Sequence, residues 1–338
     1  MMSRLIVVTV VLLGAGGAAC ATTASSETAE PTAASPAASK TAETVATSPR
    51  KPPLRRRSVL PGRGQARPGQ AQLDAALAAA ASGDLDGAVE GSEAAIQANP
   101  RLEQAFLLLG SSCALQGNDA CEASAYQRGL EQLPESLPLQ RELGVFLLRQ
   151  GEIAEGLSRL ESARASTPAP PPELIADLAV AYKMAGDLER ARSTANTAVE
   201  ASAKCTQCYM AQGEIAFAEK DFAAAEAAFA RAVGLDPTSV EARRSQAKAA
   251  FLAGDVPRAA ELYTDLAGRT PEDVRVQVQA GQVLMAAERA PEAVARFRAA
   301  VALYPKEPKL LELLARAQEA AGDTKGAKAT RAAAAALE

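Results

Sequence analysis

Three aligned stretches decide the fold of this chain: FAAAEAAFARAVGLDP at 222–237, VPRAAELYTDLAGRTP at 256–271 and APEAVARFRAAVALYP at 290–305. Each stretch holds an alanine at its fourth position, an aromatic ring at its eighth and a proline at its sixteenth. A spacing of four residues is about one helical turn, so the alanine and the ring share one helix face. The proline ends the helix. The pattern therefore predicts helices that approach one another closely at the alanines, with the rings filling the space between them.

The same period continues on both sides of these stretches, and successive landmarks are separated by about 34 residues or by about twice that number. A glycine falls about midway between successive prolines, which predicts a unit made of a helix, a glycine turn, a second helix and a proline stop. The prolines are Pro100, Pro134, Pro168, Pro237, Pro271 and Pro305, and the glycines are Gly83, Gly117, Gly151, Gly186, Gly254 and Gly322.

This pattern resembles the tetratricopeptide repeat, a 34-residue helix hairpin with small residues at its eighth, twentieth and twenty-seventh positions and proline at its thirty-second. The resemblance covers residues 69–338 and implies an all-α, right-handed superhelical solenoid of about eight hairpins. Gln72 and Glu122 depart from the pattern in the first two units, and Gln318 and Arg331 in the last unit predict an end helix that faces water. The units begin at Gly69, Glu103, Leu137, Pro172, Thr206, Val240, Val274 and Pro308.

Composition argues against catalysis. The chain contains no histidine, which removes the commonest general base and metal ligand. No phosphate-binding loop, nucleophile elbow or metal-ligand cluster stands out in the sequence. We therefore expect no catalytic residue, cofactor or metal, and no nucleic-acid partner.

The first residues, MMSRLIVVTVVLLGAGGAAC, predict a secretory signal peptide over residues 1–19. The segment resembles bacterial lipoprotein signals, in which the cysteine after a small-residue box is acylated. This resemblance implies a lipid on Cys20, and Ala21 in place of aspartate implies the outer membrane, facing the periplasm. Ordinary cleavage near Gly17, giving a plain exported protein, is the alternative.

Residues 20–68 are rich in alanine, threonine, serine and proline and then become basic, which predicts a disordered tether. Residues 1–68 hold nine basic and three acidic side chains, whereas the remaining 270 residues hold 27 basic and 37 acidic ones. The tether is thus basic and the repeat region acidic. The basic side chains from Arg50 to Arg57 could contact anionic headgroups or cell-wall polymers, or could simply belong to a solvated linker.

Four further cysteines are Cys113, Cys121, Cys205 and Cys208. Exported proteins retain disulfides, and units two and five are separated by helix layers of about 8–10 Å each, so we expect the pairs Cys113–Cys121 and Cys205–Cys208. Two alternatives stay open. The pair Cys205 and Cys208 could be a redox CxxC motif at a helix N-terminus, or the thiols could be buried and unpaired.

The tetratricopeptide resemblance also implies a concave groove that is lined by the first helices and binds peptides or partner helices. The groove positions, carried over residue by residue, combine apolar and basic side chains and suggest a partner segment that is amphipathic or acidic. They are Arg141, Val145, Leu148, Arg149, Val180, Lys183, Met184, Met210, Phe217, Arg244, Lys248, Phe251, Leu252 and Met285.

These expectations favour a lipid-anchored scaffold that binds other proteins and assists the assembly of an envelope machine such as a pilus, a secretin, an export system or an outer-membrane complex. An accessory subunit that docks a cell-wall or polysaccharide enzyme is the alternative. An enzyme is the least favoured class, because the hairpins account for every residue after Pro68.

Overall fold

The computed structural model describes residues 68–337, so the predicted signal peptide, Cys20 and nearly all of the tether lie outside the described residues. The described residues form sixteen α-helices and no strand, which confirms the all-α expectation. The helices are α1 (Gln70–Ala81), α2 (Leu85–Ala98), α3 (Glu103–Gln116), α4 (Asp119–Gln132), α5 (Leu137–Gln150), α6 (Ile153–Ala165), α7 (Pro172–Met184), α8 (Leu188–Ala201), α9 (Thr206–Ala218), α10 (Phe222–Leu235), α11 (Val240–Leu252), α12 (Val256–Arg269), α13 (Val274–Ala286), α14 (Ala290–Leu303), α15 (Pro308–Ala320) and α16 (Thr324–Ala335).

The chain divides into two compact units at Glu122, within α4. In the first unit α1, α2 and α3 pack on one another in sequence. In the second unit six hairpins, from α5/α6 to α15/α16, are stacked so that the second helix of each contacts the first helix of the next. A repeated stack of helix hairpins is the architecture that the sequence predicts.

The turn inside each hairpin is closed by one residue in the left-handed backbone conformation. In six hairpins this residue is a glycine with a φ between 72° and 88°. The position is held by Lys220 in the α9/α10 hairpin, with a φ of 66°, and by Glu288 in the α13/α14 hairpin, with a φ of 59°. The turn thus favours the glycines predicted from the period, because a side chain is strained in the left-handed conformation.

An aspartate after the turn begins most of the second helices. The carboxylates of Asp84, Asp187, Asp221, Asp255 and Asp323 each accept a hydrogen bond of 2.9–3.1 Å from a backbone N–H three residues later. Such N-caps satisfy a backbone donor at the positive end of the helix dipole. Left-handed residue and capping aspartate together fix where the first helix ends and the second begins.

The core of the second unit brings small residues against rings. A Cβ atom added at Gly213 would lie 2.6 Å from the ring of Phe229, and one added at Gly281 would lie 2.7 Å from the ring of Phe297. Both rings are almost fully buried. This close approach fixes the rotation of each first helix, and therefore which of its faces remains open to solvent.

The last hairpin differs from expectation at Gln318, which we predicted to face water. Gln318 is buried, and its side-chain oxygen accepts a hydrogen bond of 2.8 Å from the hydroxyl of Thr330. The prediction was wrong because α16 packs over this side of α15 and supplies a polar partner. Arg331 is exposed as expected and pairs with Glu319.

Lys220→Gly and Glu288→Gly are each expected to raise the free energy of unfolding by about 1 kcal/mol, because glycine adopts the left-handed conformation without the Cβ strain. Urea denaturation followed by circular dichroism measures the change. Gly254→Ala is the matched control and should lower stability by a similar amount. Unchanged stability in both glycine variants would show that these turns are not strained.

Candidate functional site

The predicted groove residues lie on α5, α7, α9, α11 and α13, all in the second unit. On α5, α7, α9 and α11 most of them recur at spacings of three, four or seven residues and so share one side, and α13 contributes Met285 alone. We call the surface that they form the groove face. Contacts between neighbouring first helices, described below, show that the structure brings these sides together.

A polar cluster joins α5, α7 and α9 on the groove face. Arg141 Nε donates to Asp177 Oδ2 at 2.5 Å, and Arg141 Nη2 donates to Gln207 Oε1 at 3.1 Å. The side-chain amide of Gln207 donates to the other oxygen of Asp177. Only 14% of the Arg141 side chain and 10% of the Asp177 side chain are exposed. Arg141 is therefore occupied within the chain.

Burial governs the titration of this cluster. Burial raises the pKa of the Asp177 carboxyl above its ordinary value, although Arg141 and the Gln207 amide act to lower it. Burial alone would lower the pKa of Arg141, but the carboxylates of Asp177 and Glu142 raise it above its ordinary value. The raised pKa of Asp177 therefore reflects the cost of burying its charge, which the charged guanidinium of Arg141 partly offsets.

Two other basic residues of the groove face are also paired with acids of the next repeat. Lys183 on α7 forms an ion pair with Glu214 on α9. Arg244 on α11 forms one of 3.0 Å with Asp273, which also caps the start of α13. The expected basic side chains are present on the groove face, but these ion pairs neutralise much of their positive charge.

Glu241, at the start of α11, adds further negative charge to the groove face. Burial and the neighbouring carboxylate of Glu214 raise its pKa above the ordinary value, and Arg244 opposes the shift.

Lys248 is exposed and lies with its Nζ atom 4.6 Å from the centre of the Phe217 ring. This cation–π contact leaves the ammonium group open to a partner carboxylate.

Several large apolar side chains are exposed on the groove face. The exposed fraction is 42% for Met184, 37% for Phe251 and 42% for Leu252. Val145, Val180, Met210, Phe217 and Met285 are partly buried and pack against the core below them.

Leu148 is buried, so its assignment to the groove surface was wrong. It packs with Leu160 and Leu178 because α5 turns this side toward α6 and α7.

Arg149 completes the predicted set. Its guanidinium lies 5.6 Å from the centre of the Phe146 ring, a distance at which a cation is attracted to the face of an aromatic ring. Arg149 is partly buried. It lies at the end of α5 and so borders the groove face.

The four cysteines form two disulfides in the structure. Cys113 at the end of α3 is joined to Cys121 near the start of α4, and Cys205 is joined to Cys208 across the start of α9. Cys205 and Cys208 are both buried, which shields the second bond from solvent. The first bond links the two helices of one hairpin, and the second holds the N-terminal turn of α9.

The described residues offer neither a metal-binding cluster nor a helix fit to span a membrane. Within residues 68–337 no group of three or more histidine, cysteine, aspartate or glutamate side chains is placed to hold a metal ion. None of the sixteen described helices is long and apolar enough to cross a membrane.

Sequence reasoning missed the acidic partners of the groove cations, namely Asp177, Glu214 and Asp273. Their spacing along the chain carries no distinct signal, because each contacts a cation about 30 residues away in the neighbouring repeat. A search for acids at equivalent places in the next repeat could have found them.

Comparison with known proteins agrees with this fold. The tetratricopeptide repeat family profile matches residues 176–240, 210–274 and 278–338, which together make up somewhat less than half of the chain. No curated protein shows a significant match. The matched residues confirm that the chain carries tetratricopeptide repeats.

Solved structures share the architecture at low sequence identity. A tetratricopeptide repeat protein from Parabacteroides merdae is 16% identical, with a TM-score of 0.50 over 74% of this chain and 98% of its own. PilW, described as a type IV pilus biogenesis factor, is 16% identical, with a TM-score of 0.54 over 64% of this chain and 98% of its own. The Cut9–Hcn1 complex is 15% identical, with a TM-score of 0.57 over 72% of this chain and 48% of the matched one. These likenesses concern the fold alone.

Proposed function

We propose that this protein is a non-catalytic scaffold whose groove face binds an amphipathic segment of a partner protein. The carrying observation is that Met184, Phe251 and Leu252 are exposed on the same groove face as Lys248, whose ammonium group lies over the Phe217 ring. An apolar helix face would cover the first three, and one acidic residue on it would meet Lys248. The partner segment is thus mainly apolar, with its acidic contact confined to one place.

The proposed location is a bacterial cell envelope, where a lipid on Cys20 would anchor the chain to a membrane, with the repeats in the periplasm. Support comes from the apolar run and small-residue box that precede Cys20. The proposed role is assistance in assembling an envelope machine. PilW, a pilus biogenesis factor, has the same fold and is an example of a protein of this architecture in such a role. Its sequence identity of 16% is evidence for the shared fold alone.

Photo-crosslinking in cells tests the groove face. A photoreactive side chain at position 252 should capture a specific partner, whereas one at Leu235, equally exposed but on the second helix α10, should not. The double variant Phe251→Ser and Lys248→Glu should abolish capture at position 252, because it removes the apolar contact and reverses the charge. Undiminished capture by this variant, with its circular dichroism spectrum unchanged, would show that the partner binds elsewhere.

The anchor is tested separately. We expect incorporation of a labelled fatty acid and recovery in the membrane fraction, both lost in Cys20→Ser. Ala21→Ser is the control and should retain both. A chain that stays membrane-bound without Cys20 would contradict lipid anchoring while leaving the groove face untouched.

A further inference from the structure

One side of α1 is exposed, although the equivalent side of every later first helix is buried. The third and tenth positions of the unit are buried in all seven later first helices. In α1 they are held by Ala71 and Ala78, which are both exposed. Asp74 and Ala75 are exposed as well, and spacings of three, four and seven residues from Ala71 place all four side chains on one side of the helix. We call this side the open α1 face.

The open α1 face has the composition of a contact surface. Later first helices bury this side against the helix that precedes them, as α3 does against α2 and α15 against α14. The terminal helix of a repeat stack normally turns a polar side to water. On the open α1 face three of the four side chains are alanine and only Asp74 is charged. An apolar side at this place indicates that a further segment covers it.

The hairpin that carries the open α1 face is purely acidic. Residues 69–100 hold five acidic side chains and no basic one. Four of these acids are exposed and form no ion pair within residues 68–337, namely Asp74, Asp84, Asp86 and Glu90. All four belong to the α1/α2 hairpin, so this hairpin presents negative charge that the described residues leave uncompensated.

The segment directly before α1 has the opposite charge. Residues 44–68 hold no acidic side chain and seven basic ones, namely Arg50, Lys51, Arg55, Arg56, Arg57, Arg63 and Arg67. Leu54 precedes the run of three arginines, and Val59 and Leu60 follow it closely. A segment with apolar side chains beside a basic run is complementary to an apolar face on an acidic hairpin.

This segment is also long enough to reach the open α1 face. α1 has 12 residues and is about 18 Å long, at about 1.5 Å per residue. Residues 54–67 span up to about 50 Å when extended, at about 3.5 Å per residue. The chain enters α1 through a turn at Pro68 and Gly69, where Gly69 has a φ of 82°. Such a turn allows the preceding residues to run back along the helix.

We propose that residues 54–67 dock on the open α1 face of the same chain. Val59 and Leu60 cover the exposed alanines, and the arginines at 55–57 pair with Asp74 and the other acids of the hairpin. The docked segment caps the repeat stack and withholds its arginines from anionic headgroups and cell-wall polymers. This contact is separate from the groove face and does not depend on a partner protein.

Photo-crosslinking within the purified full chain tests the docking. A photoreactive side chain in place of Ala78 should form a crosslink to residues 54–67 of the same chain, which mass spectrometry of the digested monomer identifies. The same side chain in place of Ala224, which is exposed on the second helix α10, is the control and should form none. Crosslinks to a second chain would show that the open α1 face joins two copies, and absence of a crosslink to residues 54–67 would show that this segment lies elsewhere. Either result would overturn the proposal.

Charge reversal tests the pairing. The triple variant Arg55→Glu, Arg56→Glu and Arg57→Glu should lower the yield of the crosslink at position 78 at least about threefold, because attraction between exposed charges becomes repulsion. Asp74→Arg should lower the yield in the natural chain and raise it in the triple variant. Asp74 is exposed and its side chain accepts a hydrogen bond only from Gln70, so the fold should remain intact by circular dichroism.

Glu200→Arg is the matched control, since it makes the same change of charge at an exposed position of α8. It should leave the yield unchanged in both backgrounds. An equal yield in the natural chain and the triple variant would overturn the proposed pairing. Loss of capture at position 252 or of the lipid on Cys20 would leave this result untouched, so the proposals fail separately.

Discussion

Arg141→Met is expected to lower the free energy of unfolding by about 3–5 kcal/mol, because it leaves the buried carboxylate of Asp177 without its counter-ion. Methionine is a long side chain without charge, so most of the loss in the free energy of unfolding should come from the missing ion pair and little from changed packing. The three side chains of the cluster connect three successive repeats, and we therefore expect α5, α7 and α9 to loosen together. Urea denaturation followed by circular dichroism measures the effect.

The double variant Arg141→Met and Asp177→Leu should recover most of this loss. Buried ion pairs are often replaced by apolar side chains of similar volume without loss of stability. Gln207 is partly exposed and can exchange its lost partners for water. A double variant as unstable as Arg141→Met would show that Arg141 acts mainly through packing. Arg192→Met, which removes an ion pair with Glu219 but leaves a largely exposed position, is the control and should change little.

The effect of pH gives a second test of the same cluster. Burial already raises the pKa of Asp177 in the folded chain, and removal of Arg141 should raise it further. A group with a raised folded pKa contributes stability below its unfolded pKa and loses that contribution as the pH rises through the folded pKa. The loss caused by Arg141→Met should therefore be smaller at pH 4 than at pH 7. An equal loss at both values would exclude a charged Asp177 as its cause.

The fold could be predicted from the sequence because its determinants are local and recur in register. Ala225 and Phe229 lie one helical turn apart, and the same pair returns at Ala259 and Tyr263, so a single packing rule is visible several times. Gly254 marks its turn for an equally local reason, the left-handed backbone. In two hairpins the same turn position is held by Lys220 and Glu288, so a search for glycine would miss these turns. The 34-residue period still predicts where they lie.

The candidate site could be predicted only in part, because its chemistry depends on contacts between repeats. Equivalent positions differ in exposure: Leu148 is buried under its neighbours, whereas Phe251 remains exposed. The pairing of Arg244 with Asp273 likewise depends on how two hairpins stack, which the 34-residue period does not specify.

Phe297→Ala is expected to lower the free energy of unfolding by about 3–5 kcal/mol, the usual loss when a buried phenylalanine is reduced to alanine. Phe297 is 1% exposed and belongs to the core that joins α11 to α15. Its ring contacts the backbone of α13 at Gly281, where a side chain is absent. Removing the ring should therefore leave a cavity that α13 and α14 cannot close without moving.

The contact between this ring and Gly281 can be tested by the effect of Gly281→Ala on the free energy of unfolding, which should change sign when the ring is removed. Gly281→Ala should destabilise the natural chain, because a Cβ atom 2.7 Å from the ring costs about 1–3 kcal/mol and outweighs the gain in helix propensity. In the Phe297→Ala background the ring is absent, so the same change should stabilise by about 1 kcal/mol. Gly268→Ala, in a helix with open space around it, should have the same effect in both backgrounds. Additive effects of Gly281→Ala and Phe297→Ala would show that the close approach of ring and backbone is not what sets the spacing of these helices.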